Sequence, residues 1–202
     1  MSFNFCHFKA TQALNYFAIS QTGNANKLKA LKLVFFADRH HFRMFGRPII
    51  GDNYYALKFG PVASGTKDII DNSTSGLADE ERKYADNYLK PTDNKLHNYR
   101  SIRKVDTSVF SKTDLISLDW SWQKFGKFKP FDLAELTHNY PEWKRHEAAL
   151  TSKFVSRCEM NYADFLEDPE TDAYFEKMDP TRKHDILDML KEQESIYKVL
   201  CS

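Results

Sequence analysis

Three neighbouring residues, Asp38, His40 and His41, are the first candidates for chemistry because carboxylates and imidazoles are common metal ligands. They fall in a segment predicted to be helical, where residues three or four positions apart share a face. Asp38 and His41 can therefore point the same way, whereas His40 cannot. Two ligands are too few for a metal centre, so we interpret the histidines as structural side chains and expect no metal site.

Other catalytic motifs in the chain are incomplete. Glu135 and His138 form a single Glu-x-x-His element, whereas di-iron sites need a second copy and two further glutamates. The segment Gly65-Thr-Lys67 has the residues of a phosphate-binding loop in the wrong order, and His184-Asp185 has no companion histidines. Neither a Gly-x-Ser-x-Gly elbow nor a catalytic cysteine signature occurs. We therefore expect a protein that is not an enzyme and needs no cofactor.

The elements that must position these residues are mostly helices. Apolar residues at helical spacing predict one helix over Phe8 to Gln21 and a second, central and buried, over Lys27 to Phe45, with Gly46 ending it. A capping box at Ser111 begins a further helix that continues to Phe125. The predicted core includes Leu31, Phe35, Leu118, Trp122 and Phe125.

A short β element is expected after the central helix. Arg47 to Val62 contains a turn at Gly51-Asp-Asn53 and the β-prone run Tyr54 to Leu57, which together predict a small hairpin or extended pair. Proline in the first turn favours two short helices, Pro130 to His138 and Pro141 to Leu150. The predicted fold is mainly α, a compact helical domain with a small β-hairpin inserted after the central helix. The remaining predicted elements are helical segments at Ser64 to Asp71, Ala78 to Leu89 and Pro180 to Leu200, and either a short strand or an irregular connection at Leu96 to Val105.

The composition is that of a globular protein with an aromatic core, since 42% of the residues are hydrophobic and 14% are aromatic. No apolar run approaches the roughly 18 residues that a membrane-spanning helix needs, and the first residues lack the pattern of a secretory signal. Cys6, Cys158 and Cys201 are odd in number and widely spaced, which fits reduced thiols. We therefore expect a cytoplasmic protein.

Charge is distributed unevenly although the net charge is only +1. Lys27 to Lys67 carries eight lysines and arginines against two aspartates, whereas Glu159 to Glu194 carries twelve acids against four bases. The simplest interpretation is two separate solvated faces. The alternative is that the acidic C-terminal part faces the basic segment.

One block of the sequence resembles a known family. The block consists of Lys29-Ala-Leu-Lys-Leu-Val-Phe-Phe-Ala-Asp38, then Gly46-Arg-Pro-Ile-Ile-Gly-Asp52, then Tyr55-Ala-Leu-Lys-Phe-Gly-Pro-Val62. It looks like the signature of the Panacea domain, the SocA-like antitoxin family, and Leu136-Thr-His138 and Pro141-Glu-Trp-Lys144 follow in the family's order. The residues that we assign to the structure of this motif are Asp38, His41, Gly46, Pro48, Gly51, Asp52, Gly60, Pro61 and His138.

The resemblance implies an antitoxin of a type II toxin–antitoxin system, a setting associated with phage defence. Its partner would be a cognate toxin protein encoded by a neighbouring gene, bound directly and without catalysis, in a complex that is either a homo-oligomer or a hetero-oligomer with the toxin. We expect residues 1–150 to form the Panacea-like domain and residues 151–202 an acidic helical extension packed on it. Neither a membrane nor nucleic acid is expected as a partner.

The candidate toxin-binding residues lie around this rigid block. Arg43, Arg47, Tyr54 and Lys58 are cationic or amphipathic groups of the kind enriched at protein interfaces, and Trp143 is a further candidate. We expect the two arginines to be exposed, so that reversing their charges leaves the melting temperature nearly unchanged.

Two alternatives stay open at the level of the sequence. The basic segment 27–67 is suited to a nucleic-acid-binding regulator, whose affinity would depend steeply on salt. Asp38, His41 and His138 would be the ligands of a metal-dependent hydrolase, which metal content after purification would reveal.

Overall fold

The computed structural model describes residues 3–92, 97–152 and 154–200, with the side chains of 194 and 197–200 left out of the description. The fold is mainly α with two small antiparallel sheets, as predicted. Free cysteines are found at positions 6 and 158, whereas Cys201 lies outside the described residues. Within the described chain, no helix combines the length and the apolar character needed to cross a membrane.

The centre of the molecule is helix α2, Lys27–Phe45, preceded by α1, His7–Ser20. The Asn26 side chain caps α2 by accepting a hydrogen bond from the Lys29 N–H, and Gly46 ends the helix in the left-handed conformation at a φ of 71°. Fourteen of its nineteen residues are buried. A helix enclosed on nearly all sides has to hold its polar side chains inside the protein.

Helix α5, Lys112–Phe125, packs along α2 and buries Leu118 and Phe125 in the core. Phe36 of α2 and Phe125 of α5 stack with ring centroids 3.9 Å apart and planes 18° apart. Ser111 and Asp114 form the predicted capping box. The core prediction is confirmed for Leu31, Phe35, Leu118 and Phe125, but Trp122 is only partly buried because it lies at the edge of the helix interface.

The hairpin is confirmed, but its turn is not where the sequence suggested. Strands β2, Tyr54–Leu57, and β3, Gly60–Ala63, reverse at residues 58 and 59, and β6, Cys158–Glu159, adds a third strand to β2. The predicted turn residue Asp52 instead caps the next helix, since its carboxylate accepts hydrogen bonds from the Gly65 N–H (2.8 Å) and the Thr66 N–H (2.7 Å).

A second three-stranded sheet, which the sequence did not predict as a sheet, joins β1, β5 and β4 in that order. Its strands have three or four residues of weak β character each and become recognisable only once they pair. Their bounds are Asn24–Asn26 for β1, Leu89–Pro91 for β4 and Asn98–Ser101 for β5.

The remaining helices are short, apart from the last. Proline occupies the first turn of α6 and of α7, as predicted. The segment predicted as one helix after Pro141 forms two helices, α7 and α8, because the chain turns at residues 145 and 146. The bounds are Ser64–Asp71 for α3, Asp79–Asp86 for α4, Pro130–Leu136 for α6, Pro141–Lys144 for α7, Glu147–Thr151 for α8 and Pro180–Leu200 for α9.

The segment between β6 and α9 contributes to the same core. Tyr162 and Phe165 are buried, and the Tyr162 hydroxyl donates to the backbone carbonyl of Asp52 at 2.8 Å. Phe175 contacts Phe36 and Trp120 of the helical layer. This part of the C-terminal region therefore lies against the domain and not in free solvent.

Candidate functional site

Asp38 fixes the segment that follows α2 to the helix. Its carboxylate accepts hydrogen bonds from the backbone N–H groups of Ile49 (2.8 Å) and Ile50 (3.2 Å) and from the Tyr54 hydroxyl (3.0 Å). Complete burial raises the pKa of Asp38 to about 7, although the three donors oppose that shift. Tyr54 is itself only 2% exposed, so its ring packs in the core and its hydroxyl belongs to this network.

His41 is held in a second network at the end of α2. Its Nδ1 donates to the carbonyl oxygen of Arg47 (2.7 Å), while its Nε2 lies 3.1 Å from Thr113 Oγ1 and 3.2 Å from an Asp114 carboxylate oxygen. Desolvation lowers the pKa of His41 and favours the neutral ring. Asp114 also accepts from Lys9 (2.7 Å) and Arg47 (3.0 Å). The Arg47 side chain remains 42% exposed.

His138 lies elsewhere, beneath the hairpin. Its ring stacks on Trp143 with centroids 3.7 Å apart and planes 14° apart. The Trp143 indole N–H donates to the Leu57 carbonyl oxygen at 2.8 Å, and Trp143 is only 4% exposed. Trp143 thus holds the end of strand β2 in place, and His138 packs against Trp143. Asp38, His41 and His138 each have separate structural partners, and the described residues contain no cluster of three or more His, Cys, Asp or Glu suited to a metal ion.

Arg39 forms a fully buried ion pair that the sequence did not reveal. Its Nε donates to Glu142 Oε1 at 2.7 Å, and both side chains are 0% exposed. The guanidinium lies between the rings of Tyr140 and Phe175, at 4.6 and 4.4 Å from their centroids. Its Nη2 donates to the Glu167 carbonyl oxygen. These contacts join α2 to α7 and to the C-terminal region.

Arg43 continues this connection one helical turn further along. Its guanidinium donates to Asp168 Oδ1 (2.6 Å) and to the backbone carbonyls of Phe165 (3.2 Å) and Glu176 (2.9 Å). The residue is only 4% exposed. The expectation that Arg43 is an exposed charge is therefore wrong, because the acidic C-terminal region lies over this end of α2.

The other cations of the basic segment are also used inside the protein. Lys27 and Lys67 both pair with Asp71, and the buried Lys32 donates to the Pro61 carbonyl oxygen at 2.6 Å. Within the described part of the chain, Lys58 is the only one of the eight cations that has neither an acid nor a carbonyl oxygen as a partner. The partnered cations are Lys27, Lys29, Lys32, Arg39, Arg43, Arg47 and Lys67.

Lys58 belongs to an exposed aromatic tip, which we define as Lys58, Phe59 and Phe131. Phe59, at the hairpin turn, is 51% exposed, and Phe131, in the first turn of α6, is 67% exposed. Their rings meet edge to face with centroids 6.1 Å apart, and Lys58 Nζ lies 5.5 Å from the Phe59 centroid. Two contacting aromatic rings left in water are the kind of feature that marks interaction sites.

The backbone under the tip is tightly held. Gly60 has a φ of 88°, and a Cβ atom there would lie 2.1 Å from Thr137 Oγ1. The Lys32 bond to the Pro61 carbonyl and the Trp143 bond to the Leu57 carbonyl fix the hairpin on both sides of its turn. The tip thus presents exposed side chains on a rigid backbone, which reduces the entropy lost on binding.

A groove of about 650 Å³ lies between α2, α5 and residues 172–179. His40 in its wall stacks on Trp120 with centroids 4.2 Å apart and has Nδ1 2.9 Å from Ser117 Oγ. Burial lowers the pKa of His40 to about 4, so the ring is neutral near pH 7. Arg43 also lines the groove, but its guanidinium is engaged with Asp168 and with backbone carbonyls.

Comparison with known families gives one match, to the model described as antitoxin SocA-like, Panacea domain, over residues 31–144. This match covers more than half of the 202 residues. The chain belongs to the SocA-like Panacea-domain antitoxin family. No curated protein and no solved structure matches the chain.

The Panacea match covers some of the residues described above and leaves others outside it. The aromatic tip and the structural residues of the motif lie within it, whereas the C-terminal groups that hold Arg39 and Arg43 lie beyond residue 144. Phe59 and Phe131 were not among the predicted binding residues. The signal available in the sequence was a phenylalanine between Lys58 and Gly60 at a turn, where no core contact is expected.

Proposed function

We propose that this Panacea-domain protein neutralises a cognate toxin protein, encoded by a neighbouring gene, by direct binding in the cytoplasm and without catalysis. The observation that carries the proposal is the exposed aromatic tip on a domain of an antitoxin family. Aromatic side chains with water on one side concentrate binding energy when a partner covers them. No cofactor is needed for such a role.

The candidate residues divide into contacting and supporting groups under this proposal. Lys58 and Arg47 have exposed side chains that can reach a toxin directly. Tyr54 and Trp143 support the hairpin from inside through the hydroxyl and the indole N–H. Arg43 holds the C-terminal region against α2. The two extra residues that we add to the contacting group are Phe59 and Phe131.

The two alternative functions find less support in the described residues. A nucleic-acid-binding regulator needs cations that face phosphates, yet seven of the eight cations between 27 and 67 have partners inside the protein. A hydrolase needs Asp38, His41 and His138 in one place, yet each has separate structural partners. Direct protein binding instead uses the exposed aromatic tip.

The test is co-expression with the product of the neighbouring gene, followed by titration of the purified proteins. Direct binding predicts restored growth, a complex that survives gel filtration, and full neutralisation near an equimolar ratio. Neutralisation by a small fraction of an equivalent would indicate catalysis instead. Rescue without any complex, or a neighbouring product that is not toxic, would contradict the proposal.

A further inference from the structure

We infer that the aromatic tip docks into an apolar depression with an acidic rim on the toxin. This inference rests on the proposed function and names the chemistry of the partner surface. The tip is convex, because it combines a two-residue hairpin turn with the first turn of α6. Two contacting rings that project from such a site fit a concave apolar surface.

The charges around the tip specify the rim. Lys58 and the two lysines that precede α6, Lys127 and Lys129, are exposed and have no acidic partner among the residues that the structure describes. Asp132 and Glu135 of α6 are exposed as well, and they do not pair with these lysines. Unpartnered cations outnumber acids, so a mostly acidic rim on the partner gives the better electrostatic match.

A second copy of this chain fits the tip less well. In a two-fold symmetric contact the patch meets a copy of itself, so its three lysines would share only the two acids, Asp132 and Glu135, of the other copy. An anionic membrane also fits less well, because a continuous layer of lipid phosphates would face Asp132 and Glu135 as well as the lysines, whereas a protein rim can place its acids opposite the lysines alone. A protein surface with an apolar centre and mostly acidic edges avoids both penalties.

The test measures binding of the full-length chain to the neighbouring gene's product, made by cell-free synthesis. Replacing both rings, Phe59→Ser with Phe131→Ser, is expected to weaken binding about 100-fold. Reversing the three lysines, Lys58→Glu with Lys127→Glu and Lys129→Glu, is expected to weaken it at least about tenfold and to flatten its salt dependence.

Matched controls use residues of the same type on other parts of the surface. Ile102→Ser with Ile116→Ser removes two side chains that are 45% and 54% exposed. Lys83→Glu with Lys104→Glu and Lys112→Glu reverses three exposed lysines without acidic partners. Both controls are expected to bind the toxin like the wild type, and all variants are compared at equal folded fraction by circular dichroism.

The outcomes separate this inference from the proposed function. If both tip variants bind the toxin as tightly as the wild type does, the tip is not the binding surface, whereas the proposed function still holds. Binding lost with the rings but insensitive to the lysine reversal and to salt overturns the acidic rim. Two further results are self-association through the tip in sedimentation and binding of the tip to phosphatidylserine vesicles in place of the toxin. Either result contradicts the inference that the tip binds a toxin surface. No wild-type complex at all overturns the function and the inference with it.

Discussion

Two parts of the basic segment 27–67, the end of α2 and the hairpin turn, use cationic and aromatic residues for different purposes. At the end of α2, Arg39 and Arg43 are buried and bonded to Glu142, to Asp168 and to backbone carbonyls. At the hairpin turn, Lys58 and Phe59 are exposed, and Lys58 contacts only the neighbouring ring. Arginine and aromatic residues are enriched at protein interfaces, but here burial in the fold decides whether such a residue can reach a partner.

The C-terminal region accounts for this difference. Residues 160–179 lie over the end of α2 and supply a carbonyl oxygen to Arg39 and both carbonyl and carboxylate oxygens to Arg43. In the part of the chain that the structure describes, no comparable segment covers Phe59 and Phe131. The acidic part of the chain therefore faces the basic segment at α2, which was the alternative interpretation of the charge distribution.

The largest effect is expected from breaking the buried ion pair at the helix end. Arg39→Leu leaves the Glu142 carboxylate buried without its cation, which is expected to lower the free energy of unfolding by about 3–5 kcal/mol. Urea denaturation monitored by circular dichroism measures this loss. Arg43→Glu is also expected to destabilise the protein, contrary to the expectation from sequence, because its guanidinium has four acceptors.

The double variant Arg39→Leu with Glu142→Leu serves as the control. Removing both charges leaves no unpaired ion, so the double variant is expected to recover much of the stability that the single variant loses. A double variant no more stable than Arg39→Leu would mean that the aromatic rings around the guanidinium, and not the ion pair, dominate this site.

A smaller effect is expected where the backbone supports the tip. Gly60→Ala places a Cβ atom 2.1 Å from Thr137 Oγ1 in a residue with a φ of 88°, and is expected to cost about 1–3 kcal/mol. Gly23→Ala is a matched control, since Gly23 also has a positive φ, 91°, but nothing lies within 4 Å of the added atom. Equal losses in the two variants would show that the hairpin backbone can shift.

Lys32, under the hairpin, gives a pH-dependent prediction. Burial lowers its pKa in the folded protein to about 7 from 10.5, so between these values the unfolded chain binds more protons. Stability is then expected to rise with pH from about 7, at up to about 1.4 kcal/mol per unit. Lys32→Met removes this rise. Urea titrations of both proteins at several pH values measure the difference, and parallel curves would contradict the neutral, buried amine.

The sequence was informative where the physics is local. The central helix Lys27–Phe45 was predicted with its observed bounds, because Gly46 and the apolar periodicity determine its end and its buried face. The capping box at Ser111 was equally clear. The turn at Gly51 to Asn53 was interpreted wrongly because the acceptors of Asp52 are used by α3, a contact that spans thirteen residues.

The candidate site was harder to predict because exposure depends on contacts that are distant in sequence. Arg43 is buried by groups more than 120 positions away, and Trp143 by a carbonyl 86 positions away. Phe59 and Phe131 are 72 positions apart, and only the packing of α6 beside the hairpin makes them neighbours. No periodicity or motif encodes such a meeting, so residue type was the only guide to an interface.

The smallest effect on stability is expected at the tip, and it would sharpen the comparison most. Lys58→Glu removes no ion pair, so the free energy of unfolding is expected to change by about 0.5 kcal/mol or less, and Phe59→Ser, with half of the ring already in water, by about 1 kcal/mol. The same changes are expected to weaken toxin binding, whereas Arg39→Leu affects binding only through the fraction of folded protein. Unfolding and toxin binding are measured for all three variants. The ratio of the loss in stability to the loss in binding then shows whether each residue serves the fold or the interface. A tip variant that loses several kcal/mol of stability would mean that Lys58 and Phe59, like the arginines at the end of α2, serve the fold.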